Sequence, residues 1–204
     1  MIILPTTPGP KVAEPYFKDM GGWQEPTVGG GDAVRIDHLG DRHGITVQLP
    51  PMKFDDTAGT KHGRVWISRL KRGMSEGVRL QFIQPDYAPP INSANLGAAA
   101  AQATLIPVTG ATPNKLIPEG IGCTIIKAAT GRRYFHTVNT DANTGASGSF
   151  NLSVHPRTRV SLVVGDTIVF SPLEIEGRLI GNEQRWTLDE ARTVGLQFQI
   201  EEIA

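Results

Sequence analysis

Within seven residues the chain places Asp37, His38, Asp41 and His43. Carboxylates and imidazoles are the donors that ligate divalent metals. A strand through this segment sends Asp37 and His38 to opposite faces, with Asp41 and His43 in a following turn. The four donors then do not converge, and the segment reads as a turn with solvated charges. Cys123, the only cysteine, sits in Gly122-Cys123-Thr124-Ile125-Ile126. A nucleophilic thiolate needs a base and an electropositive setting. His136 and His155 reach it only through folding, so the thiol reads as a packed core group. Glu174 and Glu176 share one strand face, a spacing compatible with paired-carboxylate hydrolysis assisted by His136. The plainer reading is the solvent face of a strand.

Three glycine-containing segments resemble functional loops incompletely. Gly145-Ala146-Ser147-Gly148 is one residue short of a nucleophile elbow. Gly29-Gly30-Gly31-Asp32 lacks the Lys-Ser/Thr ending of a phosphate loop and precedes a strand. Gly131-Arg132-Arg133 reads as a turn entering a strand. No catalytic, cofactor-binding or metal-ligating residue is assigned, no cofactor is expected, and the chain is not expected to be an enzyme.

The elements that position these residues are mostly strands. The first 32 residues carry Pro5, Pro8, Pro10, Pro15, Pro26 and the run Gly29–Gly31. Such a segment forms few backbone hydrogen bonds and reads as an extended arm with at most one short strand. Tyr16, Phe17 and Trp23 in this arm are expected to pack on the chain's own core or on a neighbouring subunit; in the second case they are candidate subunit-interface residues, as is Trp66. Alternation over 34–36 and again over 45–49, around Gly40–Gly44, predicts a β-hairpin. The apolar set Val65, Trp66, Ile67 and Leu70 predicts one amphipathic helix over about 58–72. Asp55, Asp56 and Thr57 are its N-cap choices, and Gly73 its stop.

Val78, Leu80 and Phe82 alternate as a further strand. The segment 85–95 reads as a linker. Beyond it, short strands are predicted at 103–108, 122–128, 132–138, 149–155 and 167–170, which suits a small barrel or sandwich. The last strand, with Val194, Leu196, Phe198 and Ile200 alternating, should pair with strands of the first half. The expected organisation is an arm over 1–32, an outer domain from 33–95 and 172–204, which the resemblance given below implies to be ring-forming, and an inserted β-barrel at 96–171. The expected fold class is mainly β: a β-sandwich or barrel-like domain with one helix, plus that small barrel.

Composition narrows the function classes. The 204 residues include 20 Lys and Arg against 20 Asp and Glu, for zero net charge. This gives no footprint for sequence-specific nucleic-acid binding. No apolar run approaches the length of a membrane span, and Met1-Ile2-Ile3-Leu4-Pro5 lacks a basic leader, so no membrane insertion is expected. The 23 glycines and 15 prolines favour turns over long helices. Low net charge does little to oppose self-association.

Several stretches, in order, resemble the distal tail proteins of long-tailed bacteriophages and of gene-transfer-agent-like tail particles. They are Val34-Arg35-Ile36-Asp37-His38-Leu39-Gly40-Asp41-Arg42, then Leu49-Pro50-Pro51-Met52, then Trp66-Ile67-Ser68-Arg69-Leu70. Leu96-Gly97-Ala98-Ala99-Ala100-Ala101 precedes Glu119-Gly120, and Gly131-Arg132-Arg133-Tyr134-Phe135-His136 follows. Ile175-Glu176-Gly177 and Ala191-Arg192-Thr193-Val194-Gly195-Leu196 with Phe198 close the set. The resemblance implies a structural virion protein, a homohexameric ring at the distal end of the tail tube with a channel for DNA. It implies the tail-tube protein, hub or tail-tip proteins, and receptor-binding or fibre proteins as partners. Assembly would take place in the bacterial cytoplasm. The alternatives within reach of the sequence are a tail-tube or baseplate hub component, or a carbohydrate-binding module. In that last case Tyr87, Tyr134 and Trp186 are candidate glycan-stacking residues.

Overall fold

The computed structural model describes residues 1–26, 30–36, 38, 40–54, 62–84, 88–188 and 193–203. The largest element is an eight-stranded sheet. Its main path runs Ile2–Ile3, Val78–Phe82, Leu173–Leu179, Thr193–Glu202, Arg42–Gln48, Val12–Lys18. All neighbours on this path are antiparallel except Ile2–Ile3 with Val78–Phe82. Thr193–Glu202 is long enough to serve two groups. Its first part pairs with Trp186–Leu188 and Met52–Lys53, its second with Arg42–Gln48 and Leu173–Leu179. The expected pairing of this terminal strand with first-half strands is present.

Alternation decides which face is buried. Ile45 and Val47, Leu196, Phe198 and Ile200, Ile175 and Leu179, and Val78 and Leu80 all line one face. The helix, His62–Glu76, lays Trp66, Ile67 and Leu70 onto it. Trp66 is fully buried and packs against Phe198 with ring centroids 5.9 Å apart. Gly73 does not end the helix. A Cβ there would stand 2.2 Å from Val78 Cγ1, so Gly73 lets the helix sit close against the strand. The stop is Gly77, with φ +74° and its N–H donated to the Gly73 carbonyl at 2.9 Å. The proposed N-cap residues 55–57 lie outside the described residues.

A second group of strands pairs in a closed cycle: Gly122–Ile126, Arg133–Val138, Phe150–His155, Leu105–Thr109, Ser93–Leu96, Thr167–Val169. It encloses its own cluster, including Ile106, Ile117, Cys123, Ile125, Leu152, Ile168 and Phe170. Leu116–Ile117 and Ala142–Asn143 form a separate two-stranded sheet beside it.

Four expectations are corrected. The fold class is a mixed, mainly β fold with a single helix among the described residues. The large sheet is open, ending at Ile2–Ile3 on one side and Val12–Lys18 on the other, and is not the expected β-sandwich or barrel-like domain. The period-two pattern shows that a face is buried but not what covers it. Here the cover of the large sheet is a helix and part of the six-strand cycle. The predicted 34–49 hairpin is absent. Val34–Ile36 pairs with Gly22–Gln24, while Arg42–Gln48 pairs with Val12–Lys18. The arm therefore holds three strands, because an existing sheet edge satisfies the backbone groups of a Pro-containing segment placed at its margin. Finally, the presumed linker supplies Ser93–Leu96, which closes the cycle.

Candidate functional site: a buried junction and an exposed arm

Where the helix leaves off, the six-strand cycle covers the same face of the large sheet. The contact is aromatic and polar together. His43 meets Phe135 edge-on at 4.9 Å, Phe82 lies 5.4 Å from Phe135, and Phe17 lies 4.9 Å from His155. Glu202 closes the junction. It continues the inward parity of Phe198 and Ile200 and is 1% exposed. Its carboxylate accepts the Phe135 N–H at 2.6 Å, the His43 N–H at 3.1 Å and Arg159 Nη2 at 2.8 Å. Burial raises its pKa above the ordinary carboxylate value, and Arg159 with the two backbone donors only partly opposes this.

The imidazoles nearby are held neutral. Burial pushes His43 down to about 4 and His136 to about 3. His136 Nδ1 lies 2.9 Å from the Pro156 carbonyl oxygen. Glu201, one residue before Glu202, faces the opposite side of the sheet. Burial acts to raise its pKa, but Lys18, Arg178 and Arg42 surround the carboxylate and hold it below the usual range.

The residues singled out for metal binding do not converge. His38 is exposed, Asp41 Oδ1 accepts the Met20 N–H at 2.7 Å, His43 is buried, and Asp37 lies outside the described residues. Among the described residues no group of three or more His, Cys, Asp and Glu side chains is placed to hold a metal ion. Cys123 is fully buried, and desolvation raises its thiol to about 12. Glu174 and Glu176 do share a face, but each is held by an arginine, Arg133 and Arg79 respectively. The Gly131 carbonyl accepts from both of these arginines. His136 is buried on the face of its strand opposite Phe135, beside Cys123 and away from solvent. Among the described residues no helix is long and apolar enough to cross a membrane.

The aromatic candidates separate clearly. Trp66 belongs wholly to the chain's own core, so it has no surface for another subunit. Tyr134 is buried beneath Arg159, whose guanidinium carbon lies 5.7 Å from its ring, and offers no open face for a sugar. Trp186 packs against the sheet core with Lys71 Nζ 4.9 Å from its ring. Tyr87 lies outside the described residues. Tyr16 is half-buried and lies across Gly44, where a Cβ would stand 2.1 Å from the ring. Phe17 is part-exposed at the edge of the junction.

Trp23 is different. It is 66% exposed on the small sheet formed by Gly22–Gln24 and Val34–Ile36, with Arg35 5.8 Å from its ring. Val34 and Ile36 are 62% and 45% exposed on the same two strands. Val12–Lys18, the last strand on the path of the large sheet, is exposed at every residue except half-buried Tyr16. The junction was missed by sequence reasoning. Its one legible signal was a carboxylate, Glu202, at a position whose parity predicts burial.

The fold and these surfaces define a chain with a sealed interior and an exposed, apolar-bearing arm. No family model matches it, and no curated protein matches it.

Proposed function

We propose that the chain is a structural subunit of a bacteriophage-type tail, assembling with copies of itself into a ring at the distal end of the tail tube. The observation that carries this reading is the arm: an exposed sheet edge at Val12–Lys18 and a two-stranded projection bearing Trp23, Val34 and Ile36. Exposed apolar side chains gathered on one projection are costly in water and favour a protein partner. An unpaired sheet edge gives such a partner a backbone template. A cyclic ring needs two different complementary patches on each subunit, and the edge and the projection are two such patches. The ordered sequence resemblance to distal tail proteins supports the same assignment. The role is structural and not catalytic, with tube and hub or tip proteins as neighbours above and below, and the site of action is the virion.

The test is negative-stain electron microscopy with solution mass, on the chain alone and after co-expression with candidate tube and hub proteins. Rings with an open centre and a mass near six chains are expected, and Trp23→Ala is expected to abolish them while leaving a folded monomer. A monomer under every condition would overturn the reading.

A further inference from the structure

A cleft of about 430 Å³ opens between the arm and the six-strand cycle. Asp19, Arg35 and Asp41 lie on its arm side, and His155, Arg157 and Arg159 on the other. The two sides differ in how their polar groups are used. On the arm side both Asp19 oxygens accept from Arg35 Nη2 at 2.9 Å, and Oδ1 also accepts the Gly21 N–H. Asp41 Oδ1 takes the Met20 N–H. The acceptors there are therefore largely engaged within the arm.

The opposite side has donors to spare. The Arg159 side chain is 4% exposed, yet only Nη2 has an acceptor, Glu202. Its Nε and Nη1 are buried with no hydrogen-bond partner among the described residues. The Tyr134 ring beneath the guanidinium offers a π face but no lone pair in the plane of those N–H bonds. Arg157, exposed at the cleft, has no hydrogen-bond or ion-pair partner among the described residues. Buried donors are nearly always satisfied in folded proteins, and those that are not call for a ligand, an ion or a water.

We propose that this cleft binds an oxyanion, a phosphate or carboxylate group, held between the guanidinium groups of Arg157 and Arg159 with His155 beside them. The planar fork of N–H donors on arginine matches two oxygens of such a group, and a charged acceptor makes the strongest hydrogen bonds available to it. A metal cation is disfavoured by the two arginines. A neutral sugar would supply as many donors as acceptors to a site that lacks only acceptors. Exposed Arg157 meets the ion first, and Arg159, anchored by Glu202, supplies charge from below. The inference concerns a single chain and does not depend on assembly into a ring.

The test is isothermal titration of the full chain in low-salt Tris buffer with inorganic phosphate, with glucuronate and with glucose, alongside ¹H–¹⁵N NMR shifts. At least one of the two anions is expected to bind, with shifts gathered at Thr104, His155 and Arg157, and glucose is not. Phosphate alone would mark a tetrahedral oxyanion site, and glucuronate alone a carboxylate site. Arg157→Gln, on an exposed side chain, should weaken binding by about tenfold or more with an unchanged melting temperature. Arg159→Gln, checked for folding by circular dichroism, should weaken binding likewise, at a lower melting temperature because buried Glu202 loses its counter-charge. Absence of binding by both anions up to a concentration on the order of 10 mM overturns the proposal. So does affinity unchanged in Arg157→Gln, or glucose binding as well as the anions.

Discussion

The large sheet and the six-strand cycle are built from the same kind of strand, yet they end differently. Every strand of the cycle has a partner on both sides, and each turns apolar side chains inward onto one cluster. The large sheet stops at Val12–Lys18 with an exposed edge, and the small sheet beyond it leaves Trp23, Val34 and Ile36 in solvent. Closure satisfies a strand's backbone within the chain, whereas an open edge passes that requirement to whatever docks there. The lesson is that the first part of the molecule reads as unfinished and the second as complete.

The comparison extends to the two carboxylates that end the last strand. Glu201 and Glu202 are neighbours on opposite faces. Glu201 looks onto the polar face and is met by three cations; Glu202 looks into the junction and is met by one. The same residue type thus has its pKa moved in opposite directions within one residue step, because strand alternation places the two groups in different surroundings.

The contrast breaks most sharply if one side loses its core. Trp66→Ala removes the largest side chain between helix and sheet, with an expected loss of about 3–5 kcal/mol in chemical denaturation. Glu202→Ala leaves Arg159 buried without its counter-charge, and about 3–5 kcal/mol is expected to go, with broadened signals from both sides of the junction. Ile106→Ala, within the cycle, should cost about 2–5 kcal/mol. Denaturation followed separately by Trp fluorescence and by cycle amide signals shows whether the two parts unfold together. Coincident curves would mean that the junction couples them.

Acidification probes the junction itself. An unfolded histidine takes up a proton near its ordinary value of 6.5, whereas His43 resists until about 4 and His136 until about 3. Stability present above pH 6.5 is therefore lost as the pH falls through this window, on the order of 3 kcal/mol for His43 and about 5 kcal/mol for His136. Glu202 works in the other sense. Its raised pKa lets the folded state hold a proton at a pH where the unfolded chain has lost it, so it favours the fold as the pH falls through the carboxylate range. Glu201, held low by its cations, opposes the fold there. Melting temperatures measured from pH 7.5 to 3.5 should decline most steeply between 6.5 and 4, and His136→Phe should flatten that decline.

The smallest effect on stability should come from the most exposed aromatic. Trp23→Ala is expected to change unfolding free energy by less than about 0.5 kcal/mol. Its consequence belongs to assembly, which the ring test reads. A large stability loss would mean that the arm is part of the chain's own core and would erase the contrast.

Much of this architecture was legible in the residues. Alternation at 45–49, 78–82 and 194–200 marked strands with one buried face, and Trp66, Ile67 and Leu70 marked the helix and its buried side. Those patterns are local, since side-chain direction repeats every two residues in a strand and every 3.6 in a helix. Partner choice is not local. Nothing near Val34 announces that it pairs with Gln24, nor does anything near Ser93 show that it closes a cycle with Asn95 and Leu96 against Thr109 and Val108. The junction was equally hidden. Glu202, Arg159, His43 and Phe135 are scattered along the chain, and only the docking of the cycle on the sheet brings them within hydrogen-bond reach. Sequence by itself determined which faces must be buried and that the charges balance. Tertiary structure alone decided what covers each face, which edge stays open, and which charged groups leave water, because those outcomes depend on contacts between residues far apart in the chain.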